Sequence, residues 1–397
     1  VHARLEQLLR LGHPVDKVEL IVMGGTMTAR PVEYQEWFVR RCIEAMNAFG
    51  SPDAAPSGSL EEVFLANETA LARCVATTFE TRPDWSRREQ IGEMLRLGVT
   101  KVELGIQHSE DRILALNRRG CTVEDAVQAN RHLRDAGLKV GFHVMPNMPG
   151  SSIETDRRMF ETLFEDSRFR PDFLKIYPTL VTPGSGIEDL YRQGEYQPYA
   201  EEELVDLIAY AKSILPSYVR LQRIQRDIPA RLIVAGSRHS NFRQLAARRL
   251  KEWGKRCRCI RCREAGRLPP RETPGIAVLT YPCCGGTEHF ISMEAGEALI
   301  GFLRLRFPSA AFRPELDGAA LIRELHVYGS MVALGARAAE AEWQHRSYGN
   351  HLLRAAEEIA GSAGYARVAV MSGVGVRPYY KKQGYQREGP YMIKRLA

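Results

Sequence analysis

Short apolar segments alternate with helical patterns through residues 1–215 of this 397-residue chain. The apolar segments are rich in Val, Ile, Leu and Phe and have the length of strands: Lys17–Met23, Cys74–Glu80, Lys101–Ile106, Lys139–Val144 and Phe173–Tyr177. The segments between them are amphipathic, as in Val123–Ala136. Short strands joined by crossover helices predict an α/β fold with a parallel sheet or a complete or partial (β/α) barrel. Its binding site is expected at the C-terminal strand ends.

Glycines and polar residues occupy the predicted strand ends. Gly24 and Gly25 follow the first strand, where the absence of a side chain lets the backbone approach a ligand. The other ends provide polar groups of the kind that bind an amino acid and a ribose: Glu80, Arg82, Glu103 and Gln107. A Gly-Gly pair alone indicates only a turn, so the predicted binding mouth rests on the strand ends taken together.

Residues 344–353 read QHRSYGNHLL and predict a tight turn that runs directly into a helix. The helix has an apolar stripe on one face: Leu352, Leu353, Ala356, Ile359 and Ala360. Unpaired backbone N–H groups and the positive end of the helix dipole suit a pyrophosphate. The residues predicted to hold the pyrophosphate of an acyl-coenzyme A are Gln344, Ser347, Tyr348, Gly349 and Asn350. The alternative is an ordinary amphipathic helix that follows a surface loop.

A further strand, Arg367–Met371, leads into an aromatic segment that contains Tyr379 and Tyr380. A phenolic hydroxyl there can act as a general acid that protonates the thiolate leaving a thioester, although either tyrosine can equally be structural. Together with the strand Glu324–Tyr328 ahead of the turn, this order of elements resembles the GNAT acetyltransferase fold. The last third of the chain is therefore expected to bind acetyl-CoA.

Composition restricts the class of protein. With 44% hydrophobic and 26% charged residues, the chain is expected to form two or three globular domains. We find no run of about 18 apolar residues and no signal-peptide pattern, so no membrane partner and a cytoplasmic location are expected. A net charge of +7 favours a polyanionic partner.

The basic residues are concentrated between Arg220 and Arg267. A solvated surface is one explanation, but this density of cations better suits contacts to nucleic-acid phosphates. The predicted RNA contacts are Arg220, Arg223, Arg226, Arg231, Arg258 and Arg261.

Three cysteines, Cys257, Cys259 and Cys262, lie within this basic segment. Neighbouring cations favour their thiolates, and three thiolates with one further ligand make a closed tetrahedral zinc site. His239 is the first choice for the fourth ligand, and Cys283, Cys284 and His289 are alternatives. Free buried cysteines are the competing interpretation, while disulfides are not expected in a cytosolic chain.

Longer runs of sequence resemble the catalytic subunit of Elongator in its bacterial or archaeal single-chain form. The runs that carry the resemblance are Val15–Thr26, Glu80–Asp84, Phe169–Val181, Arg223–Pro229, Arg323–Ser330 and Gly389–Met392. That family joins a radical S-adenosylmethionine (SAM) domain to a GNAT-like domain and modifies the wobble uridine of tRNA anticodons. The resemblance implies a radical SAM-like partial barrel at 1–219, a small zinc-stapled linker at 220–274 and a GNAT-like α+β domain at 275–397.

The resemblance also implies the chemistry. A reduced 4Fe–4S cluster cleaves SAM, the resulting radical activates the acetyl group of acetyl-CoA, and carbon 5 of uridine becomes carboxymethylated. The glycines and polar groups at the strand ends would line the SAM pocket, and Lys175 would face the uridine or the acetyl group. The basic residues would hold the anticodon stem-loop, and the single-chain form is compatible with a monomer.

Two departures from the family pattern stand out. The cluster-binding cysteine triplet is missing, and we expect it upstream of Val1 in a deleted or disordered segment. Ser347 stands where the family usually has Gly, and its Cβ is expected to crowd the pyrophosphate turn. Two alternatives therefore stay open: a protein lysine acetyltransferase, and a catalytically impaired tRNA-binding scaffold.

Overall fold

The computed structural model describes residues 1–51, 58–239, 241–328 and 347–396. The strands are β1 Lys17–Val22, β2 Arg73–Thr81, β3 Lys101–Gln107, β4 Lys139–Val144, β5 Phe173–Ile176, β6 Arg220–Ile224, β7 Gly275–Cys283, β8 Gly286–Ala295, β9 Ala298–Phe307, β10 Ala319–Val327, β11 Arg367–Val370, β12 Gln386–Glu388 and β13 Tyr391–Arg395. The helices are α1 His2–Arg10, α2 Val32–Asn47, α3 Leu60–Asn67, α4 Arg88–Arg96, α5 Asp111–Leu116, α6 Val123–Asp135, α7 Ile153–Glu165, α8 Gly186–Arg192, α9 Glu201–Ile214, α10 Phe242–Glu252, α11 Ile260–Arg263, α12 Tyr348–Ser362 and α13 Arg377–Lys382.

The first sheet has the strand order β1-β2-β3-β4-β5-β6, which follows the chain. The pairs β1–β2, β4–β5 and β5–β6 are parallel, as crossover helices between successive strands require. Local capping helps to define the helices: Ser59 and Glu62 form a reciprocal capping box at the start of α3. This half-barrel confirms the predicted α/β fold class.

The second sheet has the order β12-β13-β11-β10-β9-β8-β7. Strands β7 to β10 form an antiparallel meander, whereas β10 and β11 are parallel. The apolar stripe of α12 packs on the core of this sheet, with Leu352, Leu353, Ala356 and Ala360 buried. Ile359 is only partly buried. The predicted apolar face of the helix is therefore confirmed, and Ile359 lies at its edge.

Contacts divide the chain into two compact units, and neither is continuous in sequence. Unit 1 comprises Val1–Glu103, Arg131–Lys139 and Glu264–Ala397, and unit 2 comprises Leu104–Asn130 and Val140–Arg263. The helices α9 and α10 supply one apolar core of unit 2, which includes Ile208, Phe242 and Leu250. No helix in the described ranges is long and apolar enough to cross a membrane.

Unit 1 contains a cluster of charged side chains that are at most 5% exposed; we call it the buried arginine cluster, and it consists of Arg134, Asp135, Glu288, Arg306 and Arg323. Glu288 Oε1 accepts from Arg134 Nη1 (3.2 Å) and Arg306 Nη1 (3.1 Å), and its Oε2 accepts from Arg323 Nη2 (2.6 Å). Asp135 Oδ1 accepts two further bonds from Arg306. Buried charges are tolerated when paired in this way, so the cluster joins α6 to β8, β9 and β10.

Candidate functional site

A first candidate site lies in unit 1, where β10 and β11 stop pairing. The two strands pair from Ala319 to Ile322, and β10 then continues to Val327. A Cβ built on Gly349, in the first turn of α12, would lie 3.3 Å from Tyr379 Oη and 3.8 Å from Val327 Cγ2. The start of α12, the end of β10 and Tyr379 therefore meet, and we call this place the acyl site.

The two adjacent tyrosines have different surroundings. Tyr379 is half-buried and donates a 2.9 Å hydrogen bond to Asn350 Oδ1, and burial raises its pKa. Tyr380 is 5% exposed and packs in the apolar core, with its ring centroid 5.7 Å from that of Tyr385. Of the two candidates, Tyr379 is therefore the one whose hydroxyl reaches the acyl site.

Ser347 forms the N-cap of α12 with a left-handed backbone, at φ 60° and ψ 15°. Its side chain makes no capping hydrogen bond within the described ranges, although Ser is a residue type that usually caps. Tyr348, Gly349 and Asn350 follow in the first helical turn, and the Asn350 N–H donates to the Ser347 carbonyl oxygen at 2.9 Å. Gln344 lies outside the described residues.

Replacing Ser347 with Gly is expected to tighten acetyl-CoA binding several-fold. Glycine carries no Cβ to crowd the pyrophosphate turn, and it adopts the left-handed conformation of this position readily. Titration calorimetry with acetyl-CoA measures the change. Ser347→Ala keeps the Cβ and is the matched control, expected to bind no tighter than the wild type. Equal tightening by both variants would show that the backbone conformation is not the cause.

The strand ends of unit 1 bring together part of the predicted SAM pocket. Gly24 and Gly25 both have positive φ, at 88° and 61°, which only glycine adopts readily. Carboxylate oxygens of Glu80 and Glu103 lie within 4.8 Å of each other. The guanidinium of Arg82 is held by both carboxylate oxygens of Asp84, at 2.9 and 2.8 Å, so it is engaged within its own loop.

Unit 2 has a polar group of its own at the strand ends. Lys175 on β5 is 8% exposed and lies in register with His143 on β4 and Arg223 on β6. The His143 ring centroid is 5.3 Å from that of Tyr177, and the Arg226 guanidinium lies 5.9 Å from the same tyrosine ring. The sequence did not indicate His143, because its position beside Lys175 depends on the register between β4 and β5.

Gln107 ends β3 with a φ of 66°, and its carbonyl oxygen accepts from Met145 N at 2.8 Å. Its side-chain Oε1 is buried and has no hydrogen-bond partner among the described residues. Because a buried acceptor without a partner costs free energy, this atom is suited to receive a donor from a bound ligand.

The predicted metal site is present as a group of thiols in unit 2. The Sγ atoms of Cys257, Cys259 and Cys262 all lie within 4.8 Å of one another. Hydrogen bonds from the neighbouring thiols lower the pKa of Cys259, which favours a thiolate. The structure does not bring His239 into this group, since its Nε2 lies 2.7 Å from Glu201 Oε1.

The predicted RNA-binding arginines belong to unit 2 as well. Those with exposed side chains are Arg223, Arg226, Arg231 and Arg258, while Arg220 and Arg261 are half-buried. One ion pair, between Arg223 and Asp227 at 3.1 Å, offsets part of this positive charge. The exposed guanidinium groups remain accessible for phosphate contacts.

Family models match most of the chain. The Radical SAM superfamily matches residues 2–163, the Radical_SAM C-terminal domain matches residues 171–252, and the Acetyltransferase (GNAT) family matches residues 260–385. The first two cover the half-barrel and the third covers the second sheet with α12.

Proteins of known name are similar over nearly the whole chain. A tRNA uridine(34) acetyltransferase of Methanocaldococcus infernus is 49% identical over 99% of this chain and 75% of its own length. A protein of the same name from Dehalococcoides mccartyi is 44% identical over 100% of this chain and 87% of its own length. Elongator complex protein 3 of Homo sapiens is 40% identical over 99% of this chain and 72% of its own length.

A solved structure agrees with the fold. The archaeal Methanocaldococcus infernus Elp3 with an N-terminal deletion (1–46) has a TM-score of 0.94 and 48% identity, covering 100% of this chain and 94% of that chain. Identity and coverage of this size, with both domains matched in order, show that the chain belongs to the family of tRNA uridine(34) acetyltransferases and Elongator complex protein 3.

Proposed function

We propose that this protein modifies the wobble uridine of tRNA at carbon 5, using acetyl-CoA and SAM. The observation that carries the proposal is the Tyr379 hydroxyl, which lies at the start of α12 in a chain whose relatives are named tRNA uridine(34) acetyltransferases. Radical SAM and GNAT domains on one chain supply the two kinds of chemistry that carboxymethylation of a ring carbon needs.

At the acyl site, the first turn of α12 would bind the coenzyme pyrophosphate through backbone N–H groups. Tyr379 would donate its proton to the sulfur as the thioester breaks, with Asn350 holding the hydroxyl in place. Burial raises the pKa of Tyr379, so the proton is present at neutral pH. Tyr380 would support the site from the core.

SAM, when bound and reduced, supplies a radical that activates a carbon–hydrogen bond. The neighbouring carboxylates of Glu80 and Glu103 offer acceptors for its ammonium and hydroxyl groups. The assignment of Gln107 to the same pocket rests on the sequence. Gly24 and Gly25 would allow the backbone to approach SAM closely. We also assign Arg82 to this pocket. Among the described residues, the one group of three neighbouring thiols is Cys257, Cys259 and Cys262, to which we assign zinc, so we assign no ligand to the 4Fe–4S cluster.

Unit 2 would bind the anticodon stem-loop. Exposed arginines would contact phosphates, and Lys175 would face the uridine beside His143 and Tyr177. We infer zinc at the Cys257, Cys259 and Cys262 thiols, because three thiolates are a borderline-soft donor set that Zn²⁺ prefers. Metal analysis that finds no zinc in the purified protein would contradict this part.

The proposal also includes the domain limits, the location and the oligomeric state of the protein. The proposed domain limits are 1–219, 220–274 and 275–397; the start of β7 at Gly275 agrees with the last of them, whereas β6, which starts at Arg220, belongs to the first sheet. We also propose that the protein is cytoplasmic and that it acts as a monomer.

An assay of coenzyme release tests the proposed function. Protein is incubated with acetyl-CoA alone, with tRNA, or with a lysine-rich peptide, and free coenzyme A is measured. We expect tRNA to accelerate release and the peptide to have no effect, with an acceleration that falls as salt increases. Acceleration by the peptide alone would favour a protein acetyltransferase, and acceleration by neither would favour a tRNA-binding scaffold.

A further inference from the structure

A cleft of about 440 Å³ lies within unit 1, between α3, α4, the start of α13 and the turn from β12 to β13. Its lining includes five arginines: Arg88, Arg96, Arg313, Arg377 and Arg387. We call it the arginine cleft. The residues that form the acyl site do not line the arginine cleft, so the role of the cleft has to be explained separately.

Three of the five guanidinium groups are neutralised by carboxylates of the protein. Arg96 is paired with Glu36 (2.7 Å) and Glu93 (2.9 Å). Arg313 is paired with Glu315 at 2.9 Å. Arg387 is held by both oxygens of Glu61. These pairs fix the walls of the cleft, and the remaining charged groups of its lining are Arg88, Arg377 and Glu89.

Arg377 lies deep in the cleft and is 3% exposed. Its Nε and Nη1 atoms have no hydrogen-bond partner in the part of the chain that the structure describes. A Glu68 oxygen lies 3.7 Å from Nη1, but the other oxygen of that carboxylate already accepts from Lys381 Nζ at 2.6 Å. A buried guanidinium with unused donors costs free energy, which an incoming anion would recover.

Arg88 is the second cation of the lining outside these pairs. It is exposed, donates to the carbonyl oxygen of Phe312 at 2.9 Å, and has its guanidinium 4.5 Å from the centre of the Phe312 ring. These contacts hold the side chain beside the cleft and leave its positive charge available. Burial, reinforced by the positive charge of Arg387, lowers the pKa of Arg377, so an added anion would stabilise the charged form of this side chain.

We propose that the arginine cleft binds the phosphate end of a small molecule, as a phosphate monoester or a pyrophosphate. Planar guanidinium groups bind phosphate oxygens through paired hydrogen bonds. A residue that is 3% exposed can be reached by a terminal phosphate with several free oxygens. A phosphodiester in the backbone of a folded RNA lies between two riboses and cannot enter to that depth, which selects the small molecule over tRNA.

Binding there would join segments that are distant in sequence. The cleft is formed by helices α3 and α4 from the first hundred residues and by α13, whose Tyr379 reaches the acyl site. A ligand that binds only the folded state stabilises it by mass action, so occupancy should raise the unfolding midpoint of unit 1.

Titration calorimetry on the full chain tests the proposal, with inorganic pyrophosphate as the probe and saturating desulfo-coenzyme A present to occupy the acyl site. We expect saturable binding that ADP reproduces and adenosine does not. Arg377→Met, which keeps the length of the side chain, is expected to weaken pyrophosphate binding at least ten-fold. Arg88→Gln, at an exposed position, should weaken it several-fold even if the Arg377 variant fails to fold. Arg87→Gln, one residue away and outside the lining, should bind as the wild type does.

Several outcomes would overturn the inference. These are absence of saturable binding, unchanged affinity in Arg88→Gln, and loss of the pyrophosphate signal when desulfo-coenzyme A is added, which would assign the phosphate to the acyl site. Displacement of pyrophosphate by an anticodon hairpin would identify the ligand as the RNA backbone instead. Coenzyme release with tRNA is measured separately, so failure of this site leaves the proposed function unaffected.

Discussion

Replacing Glu288 with Gln is expected to lower the free energy of unfolding by about 3–5 kcal/mol, which is the usual cost of removing one partner from a buried ion pair. The carboxylate accepts hydrogen bonds from Arg134, Arg306 and Arg323, and its side chain is 1% exposed. Gln keeps the shape and removes the negative charge, so three guanidinium groups would remain buried with less compensation. Urea unfolding followed by circular dichroism, fitted to two transitions because the chain has two units, measures the loss.

A matched control is available on the surface. Glu154 pairs with Arg158 one helical turn away, and both side chains are more than half exposed. Glu154→Gln is expected to change stability by less than about 0.5 kcal/mol, since exposed pairs contribute little. If the Glu288 variant unfolded at the same urea concentration as this control, the buried arginine cluster would not stabilise unit 1.

Replacing Tyr379 with Phe is expected to reduce tRNA-stimulated release of coenzyme A by roughly 10²-fold or more, as expected for loss of a general acid. The phenol is the group whose hydroxyl lies beside Gly349 and Asn350, and no packing is lost when only the oxygen is removed. Rapid-quench measurement at saturating acetyl-CoA isolates this step. Binding of desulfo-coenzyme A should stay within about two-fold of the wild type, which separates catalysis from binding.

Tyr380→Phe is the matched control, because that ring packs in the core beside Tyr385. It should retain most of the activity. Equal losses in the two variants would mean that the tyrosines act by packing, and an unimpaired Tyr379→Phe variant would remove this residue from the mechanism.

The pH dependence of coenzyme release follows from the same residue. Burial raises the pKa of Tyr379 above its ordinary value of 10.0, so the protonated acid is fully present at neutral pH. The rate should fall only as pH rises through the raised pKa, and this alkaline decline should disappear in Tyr379→Phe. A decline near neutral pH in the wild type would indicate a different acid.

Much of the fold follows from local patterns. The first five strands of the half-barrel match the predicted segments to within one residue, because each is a short apolar run bounded by turns. The sixth strand, β6, was not predicted, because arginines occupy it and mask a strand pattern. The prediction for β10 began at Glu324, although the strand starts at Ala319. Its first five residues are all buried, and a fully buried run shows no alternation of polar and apolar residues.

The charged core was not predictable in this way. In β9, Arg304 and Arg306 alternate with leucines, which is typical of a strand with one solvated face. Both arginines are nevertheless at most 1% exposed, since Glu324 and Asp135, distant in sequence, compensate their charge. Because the paired residues are far apart in the chain, no local sequence pattern indicates that they pair.

The candidate site shows the same limit. The residue types at the strand ends and at the start of α12 indicated ligands. Choosing between Tyr379 and Tyr380 depended on which side chain of α13 is directed towards the acyl site and which towards the core. The thiols at Cys257, Cys259 and Cys262 were predicted from close spacing alone. His239 was predicted as their partner without such spacing, and its imidazole contacts Glu201 instead.

The course of the chain through its two units affects how the protein can be made. Residues 1–103 belong to the same unit as residues 264–397, and the short segment 131–139 joins them. Residues 1–103 can therefore reach their partners in 264–397 only after all of unit 2 has been synthesised. Expression of the acetyltransferase segment alone would expose Glu288, Arg306 and Arg323 without Arg134 and Asp135. We expect such a fragment to aggregate, so attempts to separate the two activities should use point variants of the intact chain.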